Sequence, residues 1–242
     1  MIDTHCHIDM YNNPLEIAKE SERLGIITIG MTNLPSHFEL GYEHLLSFTK
    51  VRLALGMHPL YAEQHLLELP KFIKNVSNTS YIGEIGLDFS REGIATKDQQ
   101  LSTFTKILQE LKGKHKIISL HSRKAEKQVL QLLIEHRIQN AIFHWYSGPV
   151  GLINEIVEAG YYFSVNPAMI KSKSGQEIIK RIPKDYLLTE SDGPYIEKEG
   201  IPIKPKDVKD VHAYLAGIFN VSELDIQETI TRNFRRLLNA IR

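Results

Sequence analysis

The chain has 242 residues, with 29 Lys and Arg against 29 Asp and Glu, 11 His and one Cys. Its length fits one large domain or two small ones, and its 42% hydrophobic and 24% charged residues exclude a disordered chain. A formal charge of zero excludes the broad basic face of a nucleic-acid coat protein, and the single cysteine excludes an intramolecular disulfide framework. No run approaches the roughly 18 apolar residues of a membrane span. The start, Met1-Ile2-Asp3-Thr4-His5, lacks the basic and apolar segments of a signal peptide. A soluble, cytoplasmic protein with no membrane partner is expected.

Short β-rich runs alternate with helical patterns along the whole chain. The runs cover residues 2–5, 26–31, 51–57, 81–85, 116–120, 141–143, 161–165 and 186–188. Between them, residues 14–24, 36–49, 97–111 and 125–136 carry apolar residues at helical spacing. Pro14 opens the first of these helices and Gly25 closes it. Residues 206–242 predict two more helices parted at Asn220-Val221-Ser222, with Ser222 as N-cap and Asp225 three residues on. Residues 201–205 are the most loop-like piece. Eight strand–helix units in this length predict a (β/α)8 TIM barrel, with extra C-terminal helices. An open doubly wound sheet would need a Gly-rich first turn, and none follows residues 2–5. No linker, repeat or low-complexity tract appears, so one domain, residues 1–242, is expected.

His5 and His7 lie two apart at the end of the first run, where alternate residues of a strand share a face and can reach one metal. Glu84, His121 and His144 close the fourth, fifth and sixth runs, and Asp192 follows the eighth. Each has a plainer reading alone: a surface histidine, a satisfied core histidine, or a turn aspartate in Ser191-Asp192-Gly193-Pro194. Together they fall where the strand ends of a barrel converge on its active face. Glu84 also sits among Tyr81, Ile82, Ile85 and Leu87, where a buried carboxylate needs a metal or a cation beside it. Asp3 is expected to support the site from behind, and Glu190 either does the same or takes part directly. Cys6 points away from its histidine neighbours. His37, His44, His65, His115, His136 and His212 are expected on the surface or in packing.

At these residues the chain resembles the TatD family of metal-dependent deoxyribonucleases in the amidohydrolase superfamily. Asp3-Thr4-His5-Cys6-His7, Gly56-Met57-His58-Pro59, Gly83-Glu84-Ile85-Gly86-Leu87-Asp88, His121-Ser122-Arg123, His144-Trp145-Tyr146-Ser147-Gly148 and Glu190-Ser191-Asp192-Gly193-Pro194 match its motifs in order. The resemblance implies two divalent ions, Zn²⁺, Mn²⁺ or Mg²⁺: one held by His5, His7, Glu84 and Asp192, the other by Glu84, His121 and His144. It also implies Glu84 and Asp192 as the catalytic carboxylates, with Asp192 orienting or deprotonating a water activated by the two metals. The chain departs from the family pattern at Trp145-Tyr146 (usually Cys-Phe), at Gly193 (commonly Ala) and at Leu60 (often His). Residues 30–41 and 163–170 are similar to the TatD-like component of Qat anti-phage systems, which implies protein partners in a defence complex.

Paired divalent ions suit phosphodiester cleavage, because attacking and leaving oxygens both carry charge. Arg123 offers a guanidinium fork to phosphate or is a surface arginine at a helix start. His58 is a phosphate contact or a turn residue, and Lys171 and Lys173 can guide a backbone or lie in a solvated loop. Trp145 and Tyr146 are candidates for stacking on a base, with packing in the core the equal alternative for one of them. The expected activity is a DNase on short single-stranded ends, acting 3′ to 5′. A small-molecule hydrolase using the same ligands and a non-catalytic component of a larger assembly remain the alternatives.

Overall fold

The computed structural model describes residues 1–241. Its parallel strands are β1 (Ile2–Cys6), β2 (Ile27–Gly30), β3 (Val51–Leu53), β4 (Leu55–Met57), β5 (Tyr81–Gly86), β6 (Ile117–His121), β7 (Ala141–His144), β8 (Tyr162–Val165) and β9 (Leu187–Thr189). They form a three-stranded sheet, β1-β2-β3, and a six-stranded one running from β4 to β9. β3 and β4 are the two halves of the single run 51–57, parted at Ala54, so the staves number eight, as the alternation predicts. The two sheets join where Ala54 N donates to Gly30 O (2.8 Å) and Thr32 Oγ1 donates to Ala54 O (2.9 Å). At the other seam Thr189 Oγ1 donates to Ile2 O (2.7 Å) and Thr4 Oγ1 to Thr189 O (3.1 Å). These bonds shut the (β/α)8 barrel.

Most strand residues are buried on both faces, which is why the runs read as continuous apolar stretches with little alternation. The helices α1 (Pro14–Leu24), α2 (Pro35–Leu45), α3 (His65–Asn75), α4 (Lys97–Leu111), α5 (Glu126–Glu135), α6 (Ile153–Glu158), α7 (Pro167–Lys171) and α8 (Lys173–Arg181) follow their strands. Local chemistry sets their ends. Asn13 accepts from Glu16 N before Pro14, and Gly25, at φ 65°, closes α1 in the left-handed region. In α5, Val129, Leu132 and Leu133 are buried, whereas His136 leaves the apolar face and caps the helix by donating Nδ1–H to Leu132 O (2.9 Å). α3 carries Pro70 inside it, and Ser172 parts α7 from α8 while capping the latter through Gly175 N (3.1 Å). Lys171 and Lys173 are therefore exposed helix-end residues rather than loop lysines.

Beyond β9 a short antiparallel hairpin, β10 (Glu197–Lys198) and β11 (Ile201–Pro202), turns at Glu199 and Gly200, both at positive φ. It takes up part of the loop-like piece. The two C-terminal helices are α9 (Val208–Phe219) and α10 (Glu223–Ala240); Ser222 and Asp225 form the expected capping box. Among the described residues no helix is long and apolar enough to cross a membrane.

His212 of α9 is buried against β9, its Nε2 3.4 Å from Thr189 Oγ1. Burial pushes its pKa down to about 4. As pH falls below the ordinary value near 6.5, the unfolded chain takes up this proton first and stability drains away until the folded protein titrates. Urea unfolding at pH 7.5 and pH 5 is expected to show a loss about 2 kcal/mol larger for the wild type than for His212→Gln.

Candidate metal centre

Glu84 occupies the mouth of the barrel and is 1% exposed. It lies two residues before the end of β5, in the bulge where pairing with β6 slips between Ile82 and Ile85. Its two carboxylate oxygens divide the imidazoles around it. Oε2 faces His7 Nε2 at 3.1 Å, His58 Nε2 at 3.4 Å and His5 Nε2 at 3.5 Å. Oε1 faces His121 Nδ1 at 2.6 Å and His144 Nε2 at 2.9 Å. Asp192, just past β9, places Oδ1 3.6 Å from His5 Nε2 and 3.8 Å from His7 Nε2. The six residues expected at the strand ends thus meet in one place, although 187 positions separate His5 from Asp192.

Burial disfavours the Glu84 charge, but His58, His144 and His121 outweigh it and hold its carboxyl well below the usual carboxylate range. Burial likewise opposes protonation of His121 and His144. Glu84 and Asp88 nevertheless hold His121 up at about 9, and Glu84 with Glu190 raises His144 well above its ordinary value. Burial and the neighbouring His144 depress His5 to about 4. Burial, with the charges of Glu190 and Glu84, lifts Asp192 to about 7.

The atoms at the centre fit divalent cations. Asp192 Oδ1 is buried without a hydrogen-bond partner among the described residues. It faces two imidazole nitrogens at distances too long for hydrogen bonds, as donors surrounding a cation would. His5, His7 and Glu84 bring donor atoms within 4.8 Å of one another, and so do His5, His144 and Asp192. His121 has a carboxylate oxygen at each ring nitrogen, Glu84 at Nδ1 and Asp88 Oδ2 at Nε2 (2.7 Å). Imidazole nitrogens with carboxylate oxygens suit Zn²⁺, Mn²⁺ or Mg²⁺.

His58 also belongs to a compact group with Glu84 and His121. Its Nδ1 accepts from Leu60 N (3.1 Å), so the neutral ring carries its proton on Nε2. Burial lowers its pKa to about 3. It offers the site a hydrogen-bond donor rather than a lone pair.

Polar residues behind the cluster fix its parts. Glu190 accepts from Trp145 N (3.1 Å), Asn166 Nδ2 (2.9 Å) and Ser164 Oγ, and its Oε1 lies 3.4 Å from His144 Nδ1. Asp3 supports the backbone instead of a ligand ring: it accepts from His5 N (3.2 Å) and Ser191 N (2.9 Å), and pairs with Ser191 Oγ (2.6 Å). Cys6 is buried, with Sγ 3.7 Å from Gly193 O. Gly193 has a steric reason to lack a side chain, because a Cβ there would collide with the Tyr11 hydroxyl and Ile203 O.

The substrate candidates part company. Trp145 keeps an exposed surface at the rim. Arg123 is exposed and its Nη1 pairs with Glu92 Oε2 at 3.2 Å. Tyr146 does not face substrate: it is 1% exposed, donates to Pro149 O (2.8 Å) and packs on Phe143 and Phe163. Trp145 adopts φ 37°, which breaks the alternation of the strand and leaves Tyr146 in the core. Two residues escaped the sequence reading. Asp88, signalled by its place in the Glu84 motif, holds His121; Tyr195, three residues after Asp192, sets its ring at 78° to that of His7, centroids 4.8 Å apart.

A parallel barrel whose strand ends gather imidazoles and carboxylates is the architecture of a metal-dependent hydrolase. The TatD-related DNase family model matches residues 2–239, and the chain belongs to that family. The human deoxyribonuclease TATDN3 is 25% identical, with 100% of this chain and 96% of that protein covered. A protein of Methanocaldococcus jannaschii described as a metal-dependent hydrolase is also 25% identical, over 96% of this chain and 94% of its own. Among solved structures, a TatD homologue of Escherichia coli superposes with a TM-score of 0.87 at 23% identity, covering 98% of this chain and 97% of that one. A TatD-family hydrolase of Entamoeba histolytica gives 0.82 at 20% identity, with 98% and 97% covered.

With a cation bound, Asp88 would hold the His121 proton on Nε2 and leave the Nδ1 lone pair for the centre. Asp88→Asn is expected to weaken Mn²⁺ binding to chelator-stripped protein about 10- to 100-fold by calorimetric titration. Unchanged affinity would remove Asp88 from the site.

Proposed function

We propose that this chain, a single domain, is a DNase that hydrolyses phosphodiester bonds at short single-stranded ends, 3′ to 5′. The observation that carries the reading is Glu84, whose two oxygens each face their own set of imidazoles. His5, His7, Glu84 and Asp192 would hold one divalent ion, and Glu84, His121 and His144 a second. When bound, such ions lower the pKa of a water and offset the charge that builds on a phosphate.

The chain's own residues supply the rest. The Asp192 carboxylate, whose Oδ1 is buried with no hydrogen-bond partner among the described residues, is placed to orient an attacking water or take its proton. His58 presents Nε2–H, a donor for a nonbridging phosphate oxygen. Arg123 and Trp145 stand at the rim, where a neighbouring phosphate and a base would pass. The balanced charge of 29 against 29 supports a short footprint, since a long duplex track would need many unpaired cations. The DNA preference is supported by the family's description as a TatD-related DNase, and the direction of cleavage is part of the proposal.

Residues 30–41 and 163–170 contribute Asn33 and Asn166, both completely buried behind the mouth of the barrel. Their similarity to a defence-system component extends the reading to anti-phage defence within a protein assembly. Loss of phage protection in a Glu84→Ala strain carrying the native neighbouring genes is the matching test.

Digestion of end-labelled single-stranded DNA in Mn²⁺, Mg²⁺ or Zn²⁺ is expected to shorten strands from the 3′ end. EDTA should stop it, and Glu84→Ala should lower the rate at least about 100-fold. No cleavage of any oligonucleotide, with hydrolysis of small esters or amides instead, would favour the small-molecule alternative.

A further inference from the structure

Tyr195 is a large aromatic residue at the rim, and it is 52% exposed. Yet it is held firmly. Its N–H donates to Asp192 O (3.1 Å), so the turn that carries a proposed ligand also aims this ring. Asn33, completely buried, donates Nδ2–H to the Tyr195 hydroxyl (3.3 Å), while Asn33 Oδ1 has no partner among the described residues. The ring stands perpendicular to His7 with centroids 4.8 Å apart. A ring fixed at three points with half its surface open forfeits hydrophobic stabilisation that inward packing would give.

Charge at the rim points the same way. Arg123 is paired with Glu92 at 3.2 Å, and Lys198, in the hairpin just past Tyr195, is paired with Asp210 at 2.9 Å. Both pairs are exposed and compete with a strand's phosphates for these two cations, so an aromatic contact would add affinity that they do not supply. A nucleotide whose phosphate met cations held around Glu84 would carry its base one sugar away, toward the rim. Stacking on an aromatic ring accepts any base, since every base has a π-face.

We propose that Tyr195 is the platform on which a nucleobase of the substrate stacks, a specificity-determining contact that rests on the nuclease reading above. Tyr195 thereby takes the place that the sequence offered to Tyr146.

The test compares two single-stranded DNAs, one with natural nucleotides throughout and one with a tetrahydrofuran abasic nucleotide at the cleaved end. The readout is the ratio of their kcat/KM values, with metal content checked for each variant. Tyr195→Ala is expected to lower the ratio about 10-fold, within the roughly 5- to 150-fold range of one lost base–aromatic stack, mainly through KM. Tyr195→Phe, which keeps the ring, should preserve the ratio. If Tyr195→Ala slows both substrates equally, the residue is structural and the proposal fails. If Trp145→Ala abolishes the ratio while Tyr195→Ala keeps it, the platform is Trp145. Failure of the wild type to cut either strand overturns the nuclease reading itself.

Discussion

A carboxylate buried at the end of an apolar strand is costly unless positive charge or hydrogen-bond donors surround it. Glu84 stands in this position, with Ile82, Ile85 and Leu87 buried beside it in the chain. The barrel meets the demand by ending four of its staves in imidazoles: His5 and His7 at β1, His58 at β4, His121 at β6 and His144 at β7. Each of those rings is itself buried or nearly so, and four of the five find a polar neighbour on the far side, whereas His7 Nδ1 has none among the described residues. His5 Nδ1 meets Ser119 Oγ at 2.7 Å, His58 has Leu60 N, His121 has Asp88 and His144 has Glu190. Polar groups therefore spread outward from one carboxylate in shells.

This arrangement explains why the cluster was legible in the sequence. Metal chemistry admits few residue types, a barrel admits few useful positions, and only strand ends satisfy both. Hence His5, His7, Glu84, His121, His144 and Asp192 stood out without coordinates. Helices with clean caps, such as α1 between Asn13 and Gly25, were equally clear. α3 was hidden by Pro70 inside it, and the pair α7 and α8 by the break at Ser172.

The residues around the cluster were harder to read, because their direction depends on backbone that composition does not reveal. Tyr146 follows a ligand candidate as closely as Trp145 does, yet the turn at Trp145 leaves it inside. Tyr195 sits in a turn followed by a hairpin, where strand parity says nothing about which way a ring faces. Asp88 lay in a quoted motif, but only the fold shows that it reaches across to His121. The departure at Gly193 acquires a local cause: Tyr11 and Ile203 fill the space that a methyl group would occupy, and Tyr11 donates to Ile203 O. The loop is thus packed against this chain's own tyrosine.

The seam of the barrel has a consequence for assembly. Asp3 on the first stave grips Ser191 beyond the last, and His5 O accepts from Asp192 N (2.9 Å). The cluster therefore lies across the joint where the two ends of the sheet meet. Until that joint closes, the N-terminal imidazoles and Asp192 belong to separate pieces of chain, and neither piece holds the full donor set. Hydrolytic competence becomes a property of the finished barrel alone, so a nascent or severed chain carries no assembled centre.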